Sequence, residues 1–70
     1  MTYLVVFEPS ANGYSAYVPD LPVCVAAADS YDETRQLIAE AIAFHIEALR
    51  ESDMHVPPPA STAELIEVPV

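Results

Sequence analysis

Seventy residues suffice for one domain, and they carry eleven acidic side chains against two arginines and no lysine, a net charge of −9. That charge repels a phosphate backbone and disfavours direct nucleic-acid binding, while a 53% hydrophobic fraction is too high for a disordered acidic tail. No apolar run approaches the roughly 20 residues of a membrane-spanning helix, and Met1–Leu4 lacks the basic region of a secretory signal.

In chain order, Tyr3-Leu4-Val5-Val6-Phe7-Glu8 is a strand by composition, β-branched and aromatic without helical spacing. Pro9 to Gly13 is turn chemistry, with Asn12-Gly13 as the pair that tolerates positive φ. Tyr14 to Val18 completes a hairpin, Pro19 and Pro22 stop it, and Val23 to Ala28 is a third, alanine-weakened strand. Ser30-Tyr31-Asp32-Glu33 matches a capping box, so a helix should run from about Tyr31 to about Glu51. Its first-turn acids complement the helix dipole. Thr34, Leu37, Ile38, Ala41, Ile42, His45, Ala48 and Leu49 form one broad apolar face, flanked by Phe44 and Ile46. Glu33, Glu40, Glu47 and Glu51 lie opposite. Val56-Pro57-Pro58-Pro59 must be extended, and Ala63 to Val68 reads as a final strand. The order β-β-β-α-β describes an α+β domain over residues 1–70: a small antiparallel sheet with its helix on one face.

Two observations point to self-association. A chain this short buries a small share of its surface, and its single cysteine excludes an internal disulfide, while no metal-ligand spacing is visible. One helix also covers only one sheet face, yet strand one is apolar on both, with Tyr3, Val5 and Phe7 on one side and Leu4 and Val6 on the other. A dimer or tetramer is the expectation. The free thiol fits a reducing cytoplasm.

The order of these pieces resembles the HicB family, the antitoxins of HicA–HicB toxin–antitoxin pairs. The resembling residues are Tyr3–Glu8, then Gly13-Tyr14-Ser15-Ala16-Tyr17-Val18-Pro19-Asp20-Leu21-Pro22 with Cys24, the Ser30–Glu33 helix start, Ala41–Leu49, Pro57–Pro59 and Ile66–Val70. The resemblance implies a partial ribonuclease-H-like fold without nuclease activity. It implies as partner a small, basic HicA-like toxin that cleaves mRNA with a histidine and whose site the antitoxin covers. Many family members add a C-terminal DNA-binding domain; the sequence stops where that would begin, so operator binding is not carried over. The family usually has glycine where Val23 stands. Valine disfavours positive φ, so this turn should differ locally from the family pattern.

Catalytic readings are weak. Cys24 as a nucleophile needs a nearby base and an electropositive setting, and its sequence neighbourhood is acidic. His45 reads as a packed imidazole, with a metal ligand or pH-sensitive contact as the alternative. His55 carries no motif. A ribonuclease-H-like reaction needs carboxylates converging on two metals; strand one offers only Glu8, while Asp20, Asp29 and Asp32 sit at element ends where acids serve turns and caps. No catalytic residue, metal or cofactor is assigned.

The partner-binding residues we single out are Tyr14 and Tyr17 as aromatic anchors, and Asp20, Glu33, Glu40 and Glu47 as carboxylates for the toxin's RNA-binding cations. The first reading is an acidic, non-enzymatic antitoxin that masks that surface. Alternatives are an oligomeric interaction module without a toxin, and a small ligand-binding domain using Asp20, Asp29 or His45. Neither membrane nor nucleic acid is expected as a direct partner.

Overall fold

A computed structural model describes residues 1–70. Strands β1 (Val6–Ser10), β2 (Gly13–Tyr17) and β3 (Val25–Ala28) form an antiparallel sheet in that order, followed by helix α1 (Tyr31–Glu51). Pro9 falls inside β1, which is possible because β1 is an edge strand and Pro lacks a ladder donor.

The hairpin turns through Ala11 and Asn12, since Ser10 pairs with Gly13. The expectation that Asn12-Gly13 supplies the turn's left-handed backbone is not met. Gly13 is near-extended, with φ 159°, and its lack of a side chain serves a close approach. A Cβ there would stand 2.1 Å from the Ala28 carbonyl oxygen and 2.8 Å from Asp29 Cα.

The pairing aligns Phe7, Ala16 and Ala26 across the sheet on one face, and Val6, Tyr17 and Val25 in the next row on the other. Helix α1 covers the first face. The alanines that weaken β3 as a strand are what let the helix approach: Ala16 is buried, and Ala26 packs on the core with Ile38, Ala41, Ile42 and Ile46. Thr34, fully buried, joins the layers through its hydroxyl, 2.8 Å from the Ser30 carbonyl oxygen and 3.2 Å from that of Tyr14.

Both helix ends are capped. Ser30, in extended conformation, accepts the Glu33 amide on its Oγ at 3.1 Å and donates its hydroxyl to Glu33 Oε1 at 3.0 Å. The reciprocal contact of the expected box thus goes to the hydroxyl. At the far end, Met54 N donates to the Leu49 carbonyl at 2.8 Å and Asp53 N to that of Arg50 at 3.1 Å, with Asp53 at φ 55°. These are the paired bonds of a Schellman motif, with Asp where Gly is commonest.

The apolar stripe of α1 is narrower than the sequence suggests. Thr34, Ile38, Ala41, Ile42 and Ile46 face the sheet, whereas Leu37 (44% exposed) and Phe44 (76%) face outward. Successive helical residues are 100° apart, so an apolar neighbour of Ile38 need not share its face.

Val18, Leu21 and Cys24 from the segment between β2 and β3 supply three of the five buried apolar residues, so this segment is a wall of the core. It comprises two consecutive turns, Leu21 N to the Val18 carbonyl at 3.1 Å and Cys24 N to the Leu21 carbonyl at 3.2 Å. The second has Pro22 followed by Val23 at φ 57°, the arrangement of a type II turn. Valine thus takes here the positive φ that it ordinarily disfavours. The bonds around it hold Val23 in the backbone conformation that glycine adopts easily.

The final strand does not form within one chain, so the observed order is β-β-β-α. Residues 63–68 pair with no strand, and Leu65 and Val70 are fully exposed. The preceding segment is fastened twice: the Tyr3 hydroxyl donates to the Pro57 carbonyl, and Asp20 accepts from Ala60 and Ser61. The residues that follow leave the body without reaching a sheet edge.

Candidate partner interface

The six residues singled out from sequence fall into separate places. Tyr14 lies on the helix-covered face, edge-on to Tyr31 with ring centroids 5.7 Å apart; Tyr31 also packs on Phe7 at 4.6 Å. Tyr14 therefore belongs to an aromatic cluster that seats the first turn of α1. Tyr17, 41% exposed, lies on the opposite face beside Val6 and Val25, the latter 64% exposed. Tyr14 and Tyr17 cannot contribute to one patch.

Asp20 is engaged by its own chain. Its Oδ2 accepts the Ala60 and Ser61 amides, each at 2.9 Å, and its Oδ1 accepts the Ser61 hydroxyl at 2.7 Å. These bonds, the Ala60 amide first, hold its carboxyl below the usual carboxylate range.

Glu33, Glu40 and Glu47 recur every seven residues on α1, so one exposed ridge carries them over roughly 21 Å at 1.5 Å per residue. Glu51 extends it. Leu37 and Phe44 stand within this ridge. Glu33, Gln36, Leu37 and Glu40 line one shallow depression, and Phe44, Glu47, Ala48 and Glu51 line another. Sequence reasoning placed Leu37 in the core and Phe44 beside it. The signal that finds them is their own seven-residue spacing, the same as that of the glutamates and offset from it by four.

The groups considered for catalysis do not assemble. Burial pushes the Cys24 thiol up, away from thiolate. No three His, Cys, Asp or Glu side chains gather in a metal-binding arrangement, so Asp20, Asp29 and Asp32 stay apart. No helix is long and apolar enough to cross a membrane.

Fold and composition define a small acidic α+β domain of three antiparallel strands followed by one helix. Residues 3–70 match the family model of the HicB-like antitoxins of bacterial toxin–antitoxin systems, and the chain belongs to that family. Its fold is similar to that of a chain in the HicA3 and HicB3 toxin–antitoxin complex, with a TM-score of 0.72 and 30% identity over 84% of this chain and 70% of that one. It is 40% identical over 57 residues to an uncharacterized 14.9 kDa protein from the rep–hol intergenic region of Haemophilus phage HP1, covering 81% of this chain. It is 39% identical over 49 residues to a UPF0150 protein of Helicobacter pylori, covering 70% of this chain and 68% of the relative. The chain spans 43% of the phage protein's length.

Proposed function

We propose that this chain is a non-enzymatic antitoxin domain that binds a basic, HicA-type, mRNA-cleaving toxin in the cytoplasm and masks its RNA-binding and catalytic surface with the outer face of α1. The observation that carries this reading is the exposure of Leu37 and Phe44 between Glu33, Glu40 and Glu47 on one helix face. A surface that holds RNA phosphates is rich in Lys and Arg, and a carboxylate ridge satisfies those cations in place of RNA. Charge complementarity of this kind sets approach rate and specificity, and exposed apolar side chains within it supply contacts that salt does not screen. Family membership and the likeness to the HicA3 and HicB3 complex support the toxin as partner.

Mixed with a purified HicA-type toxin as its partner, the chain is expected to co-elute as a complex that weakens as salt rises. A toxin that neither co-elutes nor loses activity counts against the reading.

A second reading, an oligomeric interaction module without a toxin, draws on the uncovered sheet face. Val6, Tyr17 and Val25 form an apolar row there, of which Tyr17 and Val25 are exposed. It predicts a stable homo-oligomer whose acidic helix face stays free.

A further inference from the structure

The segment after Ser61 is an unpaired strand by sequence, and the molecule also has an unpaired edge. Leu65, Ile66, Val68 and Val70 are 64–113% exposed. The outer edge of β1 has no neighbour, and beside it Tyr3, Val5, Phe7, Ile38, Ala39 and Ile42 line an apolar groove between strand and helix. Arg35, one of only two basic residues in the chain, is at the groove's rim. Pro9 limits ladder pairing at the far end of β1, so the pairable edge is the part that runs along the groove.

We propose that the tail of one copy, Ala63–Val68, adds as a strand to this edge of a second copy, seating its apolar side chains in the groove. The occupant is a second copy because the tether at Asp20 and Tyr3 fixes where the tail leaves its own body, and from there the tail touches neither of its own sheet edges. Charge agrees: Glu64 shares the strand face of Ile66 and Val68 in the tail, and the groove offers Arg35. Strand addition satisfies open backbone groups on both partners while alternate side chains fill the groove. If both copies give and receive, the exchange closes as a two-fold dimer.

Sedimentation velocity of the 70-residue chain over a wide concentration range tests this. The wild type is expected to be a dimer or larger. Ile66→Asp in the tail and Ala39→Glu in the groove should each raise the dissociation constant about tenfold or more. Both positions are exposed in the single chain, and circular dichroism checks that the helix is intact. Mixing the two variants should restore association, because one intact tail then meets one intact groove. Tyr17→Asp should leave association unchanged. A monomeric wild type, an Ile66→Asp chain that associates like the wild type, a mixture that stays dissociated, or a dimer that only Tyr17→Asp disrupts would each overturn the proposal.

Discussion

Asp20 grips Ser61 with both carboxylate oxygens, one on the backbone amide at 2.9 Å and the other on the hydroxyl at 2.7 Å, across forty-one positions of sequence. This contact aims the last residues of the chain. Without the second oxygen's full acceptor capacity, Asp20→Asn should weaken the grip and leave the sheet and helix intact. Hydrogen exchange at the Ala60 and Ser61 amides reads this directly; faster exchange is expected there, and unchanged exchange would contradict the assignment.

The same contact has a pH signature. The carboxyl of Asp20 is held below its ordinary value by hydrogen bonds to the charged form. Its contribution to the folded state is therefore fully present above the ordinary carboxylate range and is lost as pH falls through the lowered value. Amide protection at Ser61 should fall in that acidic window and be flat through neutrality. Protection that instead changes between pH 6 and 8, roughly the histidine range, would assign the control to another group.

Val23 is a β-branched residue at φ 57° and 88% exposed, so it loses backbone energy and gains little from burial. A left-handed conformation costs an L-residue about 1–2 kcal/mol, and the greater freedom of glycine in the unfolded chain returns roughly 0.5–1 kcal/mol of that. Val23→Gly should stabilise by about 0.5–1 kcal/mol in urea denaturation. Asp53→Gly, at the other positive φ, should gain less, because Asp tolerates that region better than valine. Destabilisation by Val23→Gly would show that the turn does not hold the observed backbone.

Thr34 is completely buried, and its hydroxyl lies within hydrogen-bond distance of both the Ser30 and Tyr14 carbonyls. Thr34→Val keeps the shape and removes the donor, so a loss of about 1 kcal/mol is expected. A thermal midpoint equal to the wild type's would remove the hydroxyl from the helix–sheet joint.

How much of this was legible beforehand depends on where the deciding interaction lies. The Ser30–Glu33 cap, the helix span and the hairpin are local, and short-range chemistry finds them. The Asp20–Ser61 contact joins distant segments, and no local pattern marks it. The same holds for Gly13, whose reason is the Ala28 carbonyl on a neighbouring strand. At Val23 local preference is overridden by the bonds that fix the flanking turns. Within the ridge, the glutamates are readable from their spacing, whereas Leu37 also fits the helical spacing of the apolar face with Phe44 at its flank, and only the packing against the sheet turns both outward. Tyr14 and Tyr17 looked equivalent until the strand register put them on opposite faces. The segment from Ala63 reads as a strand, but strand character does not specify which edge it pairs with.

If α1 is the masking surface, Leu37→Ala and Phe44→Ala should each weaken toxin binding by about tenfold, an interface contribution near 1.4 kcal/mol. Both side chains are exposed, so folding stability should stay within about 0.5 kcal/mol of the wild type. Isothermal calorimetry paired with denaturation separates the two effects. Unchanged affinity would move the contact off this helix face.

The most direct test is a titration of toxin-catalysed RNA cleavage with the wild-type chain and with the Glu40→Lys/Glu47→Lys variant. Masking by the acidic ridge predicts that the wild type stops cleavage near one antitoxin chain per toxin, and that the doubly reversed variant, with its helix intact, needs at least about tenfold more. Cleavage that persists under excess wild-type chain, or a reversed variant that inhibits as well as the wild type, would contradict it.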